Sequence, residues 1–163
     1  MNLNKREFPT REALRQFAEQ IPQINVPSVE LLLQFLQTSF EIQHYIFDIL
    51  ERNHKLSEGK LGVMIILYQS SNGISPSKLA EKAFVTRATI TVMLQRMIRD
   101  ELAYSFSDST DGRGKLAALT EKGRKFMDEI LPDHFLRTAR LMNNLTEEEQ
   151  VTLVHLLKKI KVN

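Results

Sequence analysis

The chain has 163 residues, of which 42% are hydrophobic and 26% are charged, as is ordinary for one globular domain with or without an extension. It has no cysteine, which excludes disulfides, thiol redox sensing and thiolate metal sites and suits a reducing cytoplasm. No apolar run reaches the length of a membrane span, and residues 1–10 lack the apolar core of a signal peptide. We therefore expect a cytoplasmic protein without a membrane segment.

The charge is unevenly distributed, although the net charge is only +2. Residues 76–125 hold ten Lys and Arg against six Asp and Glu, a net of +4, whereas the remaining residues have a net charge of −2. A basic segment within a slightly acidic chain indicates a surface for nucleic acid.

The chain begins with a predicted extension, residues 1–27, which holds one short helix. Thr10 can cap this helix, and Leu14, Phe17 and Ile21 give it an apolar stripe. Pro27 is expected to bound the connector that follows.

A long helix is predicted from Ser28 to about Asn53, within the segment 28–56. Its apolar positions cover more than half of the helix circumference, so it must be covered on more than one side. In a small domain this favours a subunit interface.

Residues 57–122 predict three helices and a hairpin. Ser57 caps the first helix, which reaches about Ser71. Ser75, followed by Pro76, caps the second, and Thr86 caps the third after a turn at residues 83–85. Strands are predicted at 102–107 and 116–119, with a polar loop between them. The order is that of a helix-turn-helix followed by a hairpin.

The third of these helices, about residues 87–99, has two faces. Ile90, Leu94 and Met97 form an apolar stripe at helical spacing. The side chains off that stripe are of types that reach base edges and phosphates in a major groove, namely Arg87, Thr89, Thr91, Gln95 and Arg96. The alternative is a solvated helix face without a partner.

The hairpin loop carries two cations, Arg113 and Lys115, that can enter a minor groove. Asp111, two residues before Arg113, can orient its guanidinium by a bidentate pair. The alternative is an ordinary turn whose charges keep it soluble.

Two helices are predicted within residues 123–163. Thr120 caps the first, which continues towards Met142 and is expected to kink or break at Pro132. Thr146 and Glu149 form a capping box that opens the last helix, whose apolar face indicates another interface.

The central stretch resembles the winged helix-turn-helix of the MarR family of bacterial transcription regulators. The matching pieces are LAEKAFVTRATITVMLQRMIRDELAY, the loop sequence DGRGK and LTEKG at the start of the next helix. The resemblance implies a mostly α fold with a small β wing, in which 57–122 bind DNA and 28–56 and 123–163 form a two-fold dimer. It also implies that Arg113 of an Asp-x-Arg motif enters the minor groove.

The function implied by the resemblance is that of a homodimeric regulator of a near-palindromic operator in double-stranded DNA, and we expect it to be a repressor. The expected DNA contacts are Ser77, Lys78, Thr86, Arg87, Thr89, Thr91, Gln95, Arg96, Asp111, Arg113 and Lys115. The alternative is a protein-interaction module of the same fold without specific DNA binding. No nucleophile pattern or phosphate loop is present, so we expect neither an enzyme nor a cofactor.

The chain departs from the family pattern at four positions. Glu101 stands where a glycine is usual after the recognition helix, and Val92 where an arginine is frequent. Gly112 and Ser105 replace further arginines of the wing. The base-reading set is therefore lighter than usual.

Many family members bind small phenolic or other amphiphilic molecules, so the resemblance implies a small amphiphilic or aromatic effector. The candidate pocket residues are His44, Tyr45, Phe47, Met64 and Tyr68, for which membership of the core is the alternative. The four histidines lack a metal-ligand spacing, and we expect no metal site.

Overall fold

The computed structural model describes residues 8–107 and 114–161. In these residues the fold is mostly helical with one antiparallel hairpin. The elements are α1 (Arg11–Gln20), α2 (Val26–His54), α3 (Glu58–Gln69), α4 (Pro76–Lys82), α5 (Arg87–Arg99), β1 (Ala103–Ser107), β2 (Lys115–Leu119), α6 (Glu121–Arg140) and α7 (Glu147–Leu157). The chain divides into two compact units, Met1–Asp48 and Ile49–Asn163. No helix in the described ranges is long and apolar enough to cross a membrane.

Hydroxyl side chains begin six of the helices, as the sequence predicts. In each case the side-chain oxygen accepts a hydrogen bond from the backbone N–H three residues later; the caps are Thr10, Ser57, Ser75, Thr86, Thr120 and Thr146. Such a cap stabilises a helix by about 1 kcal/mol. At α7 the Glu149 carboxylate also accepts from the Thr146 N–H at 2.8 Å, which completes the predicted capping box.

The expected boundary at Pro27 is wrong, and so is a break of the helix at Pro132. Helix α2 begins at Val26, so Pro27 lies in its first turn, where the missing N–H costs no hydrogen bond. Asn25 Oδ1 accepts from the Ser28 N–H at 3.0 Å and caps this start. Helix α6 is not broken at Pro132, which lies inside it; Ile130 and His134 are buried on either side and hold both halves of the helix in place.

The core of the second unit is built from all of its elements except α7. Its fully buried side chains include Leu50, Leu56, Val63, Met64, Leu67, Leu79, Ile90, Met97 and Met127. Each such burial is worth about 1.5–3 kcal/mol, so this core decides which side of each helix faces inward.

The hairpin is tied by backbone to the segment before α4. Strands β1 and β2 pair from Ala103 with Leu119 to Ser107 with Lys115. Ile74 joins the outer edge of β2, where it exchanges two backbone hydrogen bonds with Ala117 at 2.9 and 3.0 Å. The preceding Gly73 has φ +80°, and a Cβ there would lie 2.7 Å from the Phe106 ring, so this turn requires glycine.

Helix α5 ends in a left-handed residue although the usual glycine is missing. Glu101 has φ 61°, and the Leu102 N–H bonds back to the Met97 carbonyl at 2.8 Å. The Thr120 hydroxyl donates to the Glu101 carbonyl at 2.6 Å, and Lys122 Nζ lies 2.8 Å from the Glu101 carboxylate. These contacts hold a conformation that a residue with a Cβ rarely adopts.

A second left-handed residue, Phe84, lies in the turn between α4 and α5. Its φ is 53° and its side chain is 96% exposed, so no burial within the chain offsets the backbone strain. A left-handed conformation costs a residue with a Cβ about 1–2 kcal/mol, and glycine avoids that cost.

We expect Phe84→Gly to raise the free energy of unfolding by about 0.5–1 kcal/mol, because relief of the strain exceeds the added entropy of the unfolded chain. Urea unfolding followed by circular dichroism measures the difference. Phe84→Ala is the matched control, since it removes the ring but keeps a Cβ. A glycine variant no more stable than the alanine variant would contradict the strain argument.

One histidine is buried in the second unit. The His134 side chain is 8% exposed, and neither its Nδ1 nor the buried Nε of Arg137 has a hydrogen-bond partner in the described ranges. Burial lowers the pKa of His134 below its usual value, and the charge of Arg137 adds to that shift. The folded chain therefore keeps this imidazole neutral to a lower pH than the unfolded chain does.

Stability should fall as the pH is lowered through about 6.5, because the unfolded chain then binds a proton that the folded chain does not. We expect His134→Gln to weaken this dependence between pH 7.5 and 5.5, as measured by urea unfolding at several pH values. His155→Gln, at an exposed position of α7, should keep the wild-type slope. Equal slopes in the wild type and His134→Gln would refute the assignment.

Candidate nucleic-acid interface

Helices α4 and α5 form the predicted helix-turn-helix. Three backbone hydrogen bonds close the turn: Ala83 N–H to Leu79 O at 2.9 Å, Phe84 N–H to Glu81 O at 3.2 Å and Val85 N–H to Ala80 O at 3.1 Å. From α5, the buried stripe of Ile90, Leu94 and Met97 packs into the core, so the opposite side of the helix faces outward.

The predicted contact residues on these two helices and on β2 are exposed. They are Ser77 and Lys78 in the first turn of α4, Thr86, Arg87, Thr89, Thr91, Gln95 and Arg96 at and along α5, and Lys115 at the start of β2. The remaining two, Asp111 and Arg113, lie outside the described residues.

The three threonine hydroxyls are already engaged within the helix. Thr86 Oγ1 accepts from the Thr89 N–H at 3.1 Å and lies 2.8 Å from the Thr89 hydroxyl. The Thr91 hydroxyl donates to the Arg87 carbonyl at 2.9 Å. Thr86 and Thr91 therefore stabilise the first turns of α5 through these hydrogen bonds, in addition to being candidate DNA contacts.

Positive charge is unbalanced on the outward side of the two helices. Lys78, Arg87 and Arg96 are exposed and form no ion pair within the described part of the chain. The electrostatic field of this surface therefore favours an anionic partner.

Other cations of the same unit are neutralised by carboxylates. Asp100 lies 3.1 Å from Arg99 and 3.5 Å from Lys60, and hydrogen bonding to Arg99 is the main cause that lowers the pKa of its carboxyl group. Lys122 lies 2.8 Å from Glu101, and its hydrogen bond lowers the pKa of that carboxyl group as well. The acidic residues at the end of α5 are thus paired locally and do not offset the charge at its start.

The outermost line of α5 contains residues that the sequence reasoning did not select. Ala88, Val92, Gln95 and Arg99 follow one another at the spacing of one helix face, two residues out of phase with the buried line, which places them on the opposite side. All four are exposed. Ala88 and Val92 were not predicted because only polar side chains were considered as DNA contacts. Their angular position around the helix, opposite the buried stripe, would have identified them from the sequence.

The candidate effector residues on α2 lie in the first unit. His44 and Phe47 are half-buried and Tyr45 is exposed. The His44 ring lies 6.3 Å from the Phe40 ring, so these side chains form part of an aromatic surface of the helix.

The two candidates on α3 lie in the second unit and differ in their surroundings. Met64 is fully enclosed in the core, in agreement with the core alternative at that position. Tyr68 is half-buried and donates its hydroxyl to Asp128, which raises the pKa of the phenol, while Arg124 lies 6.0 Å from its ring centre. Within the described ranges no group of His, Asp and Glu is arranged to hold a metal ion.

Comparisons with known proteins agree with this geometry. The sequence model described as the MarR family matches residues 56–115. The chain is 29% identical to the HTH-type transcriptional repressor YetL of Bacillus subtilis over 93% of its own length and 91% of that protein.

Two solved DNA complexes share the fold. The Staphylococcus aureus MepR–DNA complex is 25% identical with a TM-score of 0.67, over 78% of this chain and 93% of that one. Sco3205 of Streptomyces coelicolor, a MarR family regulator in complex with DNA, is 19% identical with a TM-score of 0.74, over 83% of this chain and 86% of that one. Residues 56–115 therefore carry the MarR family domain, and the chain over most of its length is similar to DNA-binding transcription regulators.

Proposed function

We propose that this regulator is a homodimeric repressor that binds a near-palindromic operator in double-stranded DNA. The observation that carries the proposal is the outward side of α4 and α5, where three exposed cations lack an ion-pair partner in the described chain. Repression is also supported by the name of the relative from Bacillus subtilis. The place of action is the cytoplasm, where bacterial DNA lies, and the proposal includes no catalytic step.

The predicted residues then divide into three roles. Ser77 and Lys78 contact phosphates and fix the register of the protein on the duplex. The exposed side of α5, from Arg87 to Arg96, lies in the major groove. In the wing, Lys115 contacts the backbone and Arg113, oriented by Asp111, enters the minor groove.

Dimerisation is supported by the exposed apolar residues of α7. None of the helix is buried, and Leu153, Leu156 and Leu157 form a stripe that continues to Ile160. Apolar side chains at this spacing favour a partner surface. We assign 57–122 to DNA binding and the flanking segments, 28–56 and 123–163, to the dimer, which sets two recognition helices ~34 Å apart.

Control by a small amphiphilic or aromatic effector belongs to the same proposal. An effector that binds one spacing of the two recognition helices better than another shifts the population of DNA-binding dimers. His44, Tyr45, Phe47 and Tyr68 are the accessible candidates for that contact. Met64 could reach an effector only if the core around it opened.

Fluorescence anisotropy with duplexes from the DNA upstream of the coding region, across a salt series, tests the proposal. We expect one near-palindrome to bind far more tightly than the others, with an affinity that falls steeply as salt rises because phosphate contacts release counterions. Equally weak binding to every duplex would favour the protein-interaction module instead.

The wing assignment has a test of its own. We expect Arg113→Ala to weaken operator binding and to reduce the slope of log affinity against log salt by about 0.9, the value for one lost contact to the DNA charge. Lys125→Ala is the control, because this lysine of α6 is paired with Glu121 at 2.9 Å. An unchanged slope in Arg113→Ala would remove the wing from the interface.

The dimer assignment predicts that Leu156→Asp yields monomers and lowers operator affinity by at least tenfold, because it places a charge on the apolar stripe. Light scattering coupled to size-exclusion chromatography measures the mass. Thr152→Asp adds the same charge on the polar line of α7 formed with Glu148 and His155, and should leave the dimer intact. A dimeric Leu156→Asp protein would show that the stripe lies outside the interface.

A further inference from the structure

We propose that α5 reads thymine methyl groups through Ala88 and Val92, with Gln95 reading an adjacent adenine, so that the operator half-site is built on A·T pairs. This inference rests on the proposed function, because it assumes that the exposed side of α5 enters a major groove. It goes further in naming which bases the chain recognises.

The first step is geometric. Ile90, Leu94 and Met97 are buried, and the line of Ala88, Val92 and Gln95 is displaced from them by two residues, or about 200° around the helix. This line therefore points most directly away from the core. In a helix that lies in a groove, the side chains on that line reach deepest.

The second step is chemical. Val92 is 46% exposed, and neither it nor Ala88 can donate or accept a hydrogen bond through its side chain. The thymine C5-methyl is the apolar group that a base pair presents in the major groove, and small apolar side chains are its usual partners. Gln95, one turn further along, has the amide that pairs with N6 and N7 of adenine.

The third step concerns guanine, which arginine reads by a bidentate contact. The arginine on the outer line, Arg99, is held by Asp100, whose Oδ1 lies 3.2 Å from its Nε and 3.1 Å from its Nη2. Arg87 and Arg96 lie to either side of the line, and we assign them to the phosphates that flank it. The centre of the surface is thus left to apolar and amide contacts.

The fourth step identifies the occupant as DNA. The apolar positions Ala88 and Val92 are flanked by Arg87 and Arg96, which form no ion pair in the described chain. A small apolar spot between unneutralised cations matches a polyanion that carries methyl groups. An apolar protein surface would leave those cations without partners and would pay for their desolvation.

The test replaces thymine by uracil, which removes the methyl group and keeps every hydrogen-bonding group. The tightest duplex from the upstream DNA is synthesised with single dT→dU substitutions through one half-site. We expect one or two positions to weaken wild-type binding about fourfold each, as for loss of one buried methyl-sized group. Substitutions outside both half-sites should have no effect.

Two protein variants locate the contact. Val92→Ala should weaken binding to the thymine duplex and abolish the uracil effect at one position. Arg96→Ala should weaken binding to both duplexes equally and keep that effect. Both positions are exposed, so neither change should affect folding.

The outcomes separate this inference from the proposal beneath it. Tight, salt-dependent binding that is indifferent to uracil throughout the half-site would overturn methyl recognition and leave the regulator intact. If every uracil position that weakens wild-type binding still weakened binding of Val92→Ala, the assignment to Val92 would be overturned. Uniformly weak binding to every duplex would overturn both the regulator and this inference.

Discussion

The burial of one stripe of α5 is the constraint on which the candidate interface depends. Ile90, Leu94 and Met97 contribute several kcal/mol of apolar burial, far more than any single surface contact of the helix. That burial fixes the rotation of α5 about its own axis. Once the rotation is fixed, the identity of the outward residues follows from the period of the helix, and the chemistry of recognition follows from those residues.

Short backbone ties then carry this orientation to the hairpin. Ile74 pairs with Ala117, and the Thr120 hydroxyl and N–H bond to the carbonyls of Glu101 and Leu102, so both ends of the helix-turn-helix are attached to β2 or its flank. Gly123 allows this approach, since a Cβ there would meet the Leu102 carbonyl oxygen at 2.0 Å. The two strands and α5 are therefore held in a fixed relative position. We expect a change in the position of one to change the position of the other on DNA.

Local rules made most of this predictable from sequence. The six hydroxyl caps, the capping box at Thr146 and the turn at residues 83–85 each depend on a few neighbouring residues, and the structure confirms them. The expected boundary at Pro27 is wrong because a proline is tolerated in the first turn of a helix, and the expected break at Pro132 is wrong because α6 continues through it. The left-handed backbone of Phe84 and the burial of the His134 side chain depend on the tertiary structure, so they could not be predicted from the neighbouring residues in the sequence. The site residues stay predictions, because exposure alone does not show contact with DNA.

A light base-reading surface makes dimerisation more important to specificity. Each apolar or amide contact that we propose for α5 would discriminate between bases only modestly, and phosphate contacts carry no sequence information. A second copy doubles the number of base contacts and makes the second half-site binding intramolecular, which raises affinity without any new kind of contact. The small number of base contacts that α5 offers thus increases the need for a dimer, which we propose the exposed leucines of α7 to form. Weak base discrimination within one half-site is sufficient for a dimer, because both half-sites must be recognised at a fixed spacing. A molecule that alters the spacing of the two recognition helices would therefore weaken binding to the operator.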